Sequence, residues 1–167
     1  MQIRLVLHNI RSVYNVGAIL RTAEGLGVQR LVFSGYTPRY NDAKLLPHLR
    51  EKLNRQIAKA ALGAEAMVPQ LAVDDLPCWL ESQRKAGWRI IGLENNLSPE
   101  ESPRRIILGT HLTDEKVVLI LGEEVHGIPE EVRPLCEYFL EIPMVGRKES
   151  FNVSVATSIA LWGLLHS

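Results

Sequence analysis

The sequence predicts an α/β fold, a largely parallel sheet with helices on both faces, within a single domain over residues 1–167. Three observations point there. Short apolar runs alternate with stretches of helical spacing along the chain, the pattern of strand–helix–strand units. Two of the runs, Arg89–Leu93 and Val117–Leu121, are nearly continuous in apolar residues, as strands covered on both faces are. The chain has 167 residues, 46% of them apolar and 23% charged. That is enough to bury about two-thirds of the surface of the unfolded polypeptide around one core.

Element by element, Ile3–Leu7 reads as the first strand and Arg30–Phe33 as the second, with a weaker one at Met67–Val73, interrupted by Pro69. Arg89–Leu93 and Val117–Leu121 follow, then a short strand at Phe139–Ile142, closed by Pro143. Helical patterns lie between them at Val16–Glu24, Leu49–Leu62, Pro77–Ala86, Pro129–Leu135 and Val153–Leu165. In the first helix Val16, Ile19, Leu20 and Ala23 recur at i, i+3, i+4 and i+7, a single buried stripe. Asn15 stands where an N-cap belongs, and Gly25 or Gly27 supplies the stop. Gly17 and Arg21 share the opposite stripe with Glu24, so Arg21 is expected to project from a face opened by the missing Cβ. The plain alternative is a surface ion pair between Arg21 and Glu24, worth little.

Composition excludes several function classes. Nineteen Lys and Arg balance nineteen Asp and Glu, which argues against a wholly basic nucleic-acid binder. A local patch remains: between Arg39 and Lys59 six cations (Arg39, Lys44, Arg50, Lys52, Arg55, Lys59) face two anions, Asp42 and Glu51. It reads either as a phosphate-binding surface or as a solvated helix face. No stretch approaches the ~18 apolar residues of a membrane span. The N-terminus reads as a strand rather than a secretion signal. Two distant cysteines, Cys78 and Cys136, give neither a disulfide framework nor zinc spacing, and fit a reducing, cytoplasmic compartment.

Two further places carry chemistry. The loop Gly122-Glu-Glu-Val-His-Gly127 follows a strand, where ligands of open α/β sheets sit, and holds two acids and no lysine. It suits a neutral or cationic ligand better than a phosphate. Acids complementing a following helix would be the ordinary explanation of Glu130 and Glu131. Toward the C-terminus, Val153, Ala156, Ala160 and Leu164 form one apolar stripe, and Val155, Ile159 and Trp162 a second. A helix apolar on two sides, capped near Ser150 or Asn152, is expected to pack partly against another subunit, and a homodimer buries that surface most simply.

In this order the places resemble the three motifs of the SpoU/TrmH-type branch of the SPOUT methyltransferases. Asn9-Ile-Arg-Ser-Val-Tyr-Asn15-Val-Gly17-Ala-Ile-Leu-Arg21-Thr22 resembles the first motif, and Leu119-Ile-Leu-Gly122-Glu123-Glu124-Val-His-Gly127 the second. Ile142-Pro143-Met144 through Ser150-Phe-Asn152-Val153-Ser154 resembles the third, and Leu62-Gly63-Ala64-Glu65 and Leu93-Glu94 match between them. The resemblance implies a C-terminal deep trefoil knot, which periodicity cannot reveal. It also implies S-adenosylmethionine-dependent 2′-O-ribose methylation of RNA, tRNA or rRNA, with no metal expected; the accessory extensions by which some members grip RNA are not expected in this chain. Leu93, Leu121, Gly122, Ile142, Met144 and Ser150 would surround the cofactor. Arg21 would act on the ribose 2′-hydroxyl, with Asn15, Glu124, Ser150 and Asn152 orienting it, the substrate or the cofactor loop. Deprotonating a guanidinium near neutral pH costs roughly 8 kcal/mol, so a cation stabilising the developing oxyanion is the easier role than a base.

Other activities fit less well. Gly25-Leu-Gly27 lacks a third glycine and ends a helix, unlike a dinucleotide fingerprint. No Gly-x-Ser-x-Gly elbow is present, and His8, His48, His111, His126 and His166 lack metal spacing. The remaining alternative is an RNA-binding or assembly protein that keeps the fold without turnover.

Overall fold

A computed structural model of the chain describes residues 1–109 and 115–166; of the histidines considered above, His111 lies outside them. Seven strands form one sheet in the order β3-β2-β1-β6-β4-β7-β5, all parallel. The strands are β1 (Gln2–His8), β2 (Arg30–Ser34), β3 (Gln70–Val73), β4 (Arg89–Leu93), β5 (Arg105–Ile107), β6 (Lys116–Leu121) and β7 (Tyr138–Glu141). The helices are α1 (Val13–Gly25), α2 (Pro47–Ala61), α3 (Leu76–Lys85) and α4 (Val153–His166).

Alternation along the strands builds the expected three layers. Leu5 and Leu7 of β1 face one side, with Leu31, Phe33, Leu119 and Leu121, and meet the buried stripes of α1, α2 and α4. Val6 faces the other side with Val32, Val118 and Ile120, and packs against Leu76 and Leu80 of α3. Such two-sided burial is what nearly continuous apolar strands require.

Three local readings change. α1 starts three residues earlier than its apolar stripe suggests: Ser12 is the N-cap, accepting from the Asn15 amide at 3.2 Å, and the Asn15 side chain is left free for another partner. The stop is Gly27, at φ +67. Pro129–Leu135 is not a helix but a turn ending in a short 3₁₀ segment, Arg133–Leu135. Prolines bound it, Pro134 contributes no amide donor, and the Arg133 guanidinium is drawn away to Glu101. Glu130 and Glu131 therefore have no helix dipole to complement. β5, three residues at the sheet edge, is too short for any period to announce.

Gly17 also has a different reason from the expected one. A Cβ there would lie 2.6 Å from the Ile57 carbonyl oxygen and 2.7 Å from Ala60 Cβ. The close approach is that of α2 against α1, and no gap opens beside Arg21.

The loop after β4 is pinned by a buried ion pair. Arg133 donates to both Glu101 oxygens, at 2.7 and 2.6 Å, and holds that carboxyl far below its ordinary range, at about 2. Because the folded value is the lower one, this stabilisation is full above about pH 4.5 and disappears as pH falls toward 2. A shift of that size corresponds to on the order of 3 kcal/mol. Glu101→Gln is expected to lower stability by that amount at pH 7 and to flatten the acid limb of a urea-denaturation series between pH 4.5 and 2. An unchanged limb would show the pair to be immaterial.

Candidate functional site

The carboxyl ends of β4, β6 and β7 converge on a crevice of about 340 Å3, the place where open parallel sheets bind ligands. Leu93, Leu121 and Ile142, one from each strand end, line it with Val153 and Ala156 of α4 and with Phe151. Gly122, Glu123, Glu124, Ser150 and Asn152 complete its rim.

Each loop at the crevice has an identifiable constraint. Glu123 and Gly127 exchange backbone hydrogen bonds of 2.9 Å, closing the Gly122–Gly127 loop into a tight hairpin. A Cβ on Gly122 would stand 2.2 Å from the Gly127 carbonyl carbon, and Gly127 itself has φ +71. Only glycine allows both. Glu94 supports that hairpin from beneath, accepting from Ile128 N at 3.1 Å and from the Asn95 and Asn96 amides. Asn95 clasps the third loop: its amide donates to the Ile142 carbonyl at 2.9 Å while its oxygen accepts from Ile142 N at 3.1 Å.

The polar rim is a connected relay. Glu124 accepts from the Arg11 and Ser12 amides at 3.1 and 3.2 Å and from Asn15 Nδ2 at 3.1 Å. Burial pushes its carboxyl up, but these donors outweigh burial and leave its pKa below the ordinary value, so it is ionised at neutral pH. Asn15 Oδ1 in turn accepts from Asn152 Nδ2 at 3.2 Å. Asn152 Oδ1 caps α4 through Ser154 N at 2.9 Å. One amide thus joins the first helix to both the hairpin and the last helix.

The sequence matches the profile of the SpoU rRNA Methylase family over residues 2–162. The chain belongs to the SpoU rRNA methylase family. A Pseudomonas putida relative, named 23S rRNA (guanosine-2'-O-)-methyltransferase RlmB, is 32% identical over 158 residues, covering 95% of this chain and 56% of that protein. The chain spans little more than half the length of such curated relatives. The fold is that of an AdoMet-bound rRNA methyltransferase from Sinorhizobium meliloti, with TM-score 0.78 and 24% identity over 97% of this chain and 55% of that one. A structure described as giving insight into 2-OH methylation of C/U34 on tRNA matches with TM-score 0.74 and 25% identity, over 96% of this chain and 92% of that one.

This SpoU-family chain gathers most of the residues its motifs single out. Leu93, Leu121, Gly122, Ile142 and Ser150 line the crevice with Glu124 and Asn152, and Asn15 binds the last two. Met144 is half-buried but not part of the wall. Arg21 is not part of it either. It lies six residues beyond Asn15 along α1, about 9 Å at 1.5 Å per residue, on the exposed side of the helix. Among the described residues it makes no hydrogen bond or ion pair, so the pairing with Glu24 does not form. Sequence reasoning missed Asn95; an asparagine just past the end of a buried strand was the available signal. Among the described residues, no group of three or more His, Cys, Asp or Glu could hold a metal ion, and no helix is long and apolar enough to cross a membrane.

Proposed function

We propose that this chain is a cytoplasmic S-adenosylmethionine-dependent 2′-O-ribose methyltransferase acting on RNA as a homodimer. The observation that carries the reading is the Asn152–Asn15–Glu124 relay, which ties the three motifs together at the mouth of the crevice. The donor set fits the cofactor. Leu93, Leu121, Ile142 and Phe151 offer an apolar wall, and Glu94, Glu123 and Glu124 make the surroundings acidic, which suits a ligand bearing a sulfonium and an ammonium. S-adenosylmethionine supplies, when bound, an activated methyl group for displacement by a ribose oxygen. The residues of this chain hold that geometry and stabilise charge growing on the oxygen as its proton leaves.

Arg21 has that second role in this reading, and it acts on the crevice of the partner copy. α4 leaves Trp162 59% and Val155 46% exposed, and Trp162 borders an apolar groove between α1 and α4 with Leu26, Leu108 and Ile159. A second copy covering that face would bring the exposed side of α1 toward the neighbouring crevice. The trefoil knot of the family belongs to the same reading. Its support is the Asn95 clasp, which reaches Ile142 at one end of the returning segment and the Glu149 carbonyl at the other, at 3.4 Å. tRNA is favoured slightly over rRNA, because a neighbour described as giving insight into 2-OH methylation on tRNA is covered almost end to end, at 92%.

Calorimetry is expected to show S-adenosylmethionine binding without added metal, and label from the cofactor methyl is expected to enter bulk RNA. Wild-type protein that binds no cofactor would end the reading. Binding without transfer to any RNA pool would favour the non-catalytic RNA-binding alternative. Light scattering is expected to give a dimer that Trp162→Glu dissociates; a stable wild-type monomer at micromolar concentration would contradict the pairing.

A further inference from the structure

We propose that Tyr36 is a fixed stacking platform for an unpaired RNA base beside the crevice, so that the methylated nucleotide lies in a single-stranded loop. The proposal rests on the RNA methyltransferase reading and adds the form of RNA taken. Tyr36 is 54% exposed, yet it is held at both ends. Its amide donates to Asn9 Oδ1 at 3.3 Å, and its hydroxyl lies beside the Arg11 guanidinium. Arg11 is itself anchored: its amide donates to Glu124 at 3.1 Å, and its guanidinium pairs with Glu123 of the crevice hairpin.

The backbone beneath the ring is equally constrained. Thr37 Oγ1 donates to the Leu7 carbonyl at 2.9 Å and accepts from Ile10 N at 3.1 Å, lacing the loops after β1 and β2 together. Gly35, at φ +61, leaves room for Asn9 Oδ1, which would stand 1.8 Å from an added Cβ. Nothing in the fold needs an exposed ring tethered in this way. A rigid aromatic side chain loses little entropy on binding a partner, and bases of single-stranded RNA stack on aromatic rings and on guanidinium planes.

Charge names the partner. Tyr36 stands between the crevice hairpin, reached through Arg11, and the segment leading into α2. α2 begins at the same edge of the sheet, since it returns antiparallel to β2 and β3. Its Arg50, Lys52 and Lys59 make no ion pair among the described residues and are open to phosphates. The strand would run from this basic helix, over Tyr36, to the crevice. A paired helix offers no free base face to the ring.

The test uses the full chain with a fluorescein-labelled mixed-sequence 12-nucleotide RNA, single-stranded and as a duplex with its complement. Wild type is expected to bind the single strand more tightly. Tyr36→Ala is expected to lose roughly ten-fold or more of that affinity, to leave duplex binding unchanged, and to keep wild-type S-adenosylmethionine affinity by calorimetry. Tyr36→Trp should restore single-strand binding. Equal wild-type affinity for the two forms, or unaltered single-strand binding by Tyr36→Ala, overturns the platform. Either result leaves the methyltransferase reading standing, because that reading fails separately, on absent cofactor binding.

Discussion

Arg21→Ala is expected to reduce methyl transfer into RNA by roughly 10²–10³-fold, the usual loss when one donor to a developing oxyanion is removed. S-adenosylmethionine affinity is expected to stay within about two-fold, because Arg21 does not line the crevice of its own chain. The fold is expected to be indifferent, within about 0.5 kcal/mol, since the side chain is exposed and bonded to nothing among the described residues. A loss of transfer with intact binding and stability separates a reacting-centre role from a structural one.

The same residue permits a sharper measurement. If Arg21 serves the partner's crevice, an Arg21→Ala chain keeps a sound crevice and lacks only its neighbour's guanidinium. A chain with a blocked crevice can supply it. Mixing the two dead variants in equal amounts under exchange should place half the subunits in heterodimers with one working site each, and return about one quarter of wild-type turnover. Recovery near zero would mean that Arg21 acts within its own chain, and would remove the main functional argument for pairing.

Much of this architecture is legible in the sequence because its signals are local. The runs Ile90-Ile91 and Val117–Leu121 are apolar on successive residues, so they must be covered on both faces, and they are. The apolar stripe of α1 is buried as its spacing requires. What escapes has non-local causes. Asn15 has the right chemistry for a cap, but Ser12 takes that task because Glu124, more than a hundred residues away, takes the Asn15 side chain. Pro129–Leu135 has acceptable helical spacing, yet the bidentate bond from Arg133 to Glu101 fixes another path. Gly17 reads as a gap for a ligand until α2 is seen to fill it. The crevice follows the same division. Its strand-end residues could be placed from the sequence, whereas the Asn95 clasp and the position of Arg21 depend on which loops and helix faces meet.

Gly122→Ala is the substitution expected to damage cofactor binding most. The added Cβ would stand 2.2 Å from the Gly127 carbonyl carbon and 2.3 Å from its oxygen. Both are backbone atoms, so no rotamer change relieves the clash. The hairpin must open, breaking the paired Glu123–Gly127 hydrogen bonds and displacing Glu124 from Asn15 and from the Arg11 and Ser12 amides. The cost to the fold should be that of overpacking, about 1–3 kcal/mol, because the sheet and both cores lie below the loop. The cost to binding should be larger in effect: a wall displaced by about 1 Å no longer matches a ligand held by shape, and roughly 100-fold or more in S-adenosylmethionine affinity is expected to go. Val145→Ala, on the loop after β7 and outside the crevice lining, separates the two consequences. That side chain is fully exposed, so the variant should bind as wild type does. If Gly122→Ala keeps wild-type affinity while remaining folded by circular dichroism, the cofactor does not sit against this hairpin, and the crevice is not its site.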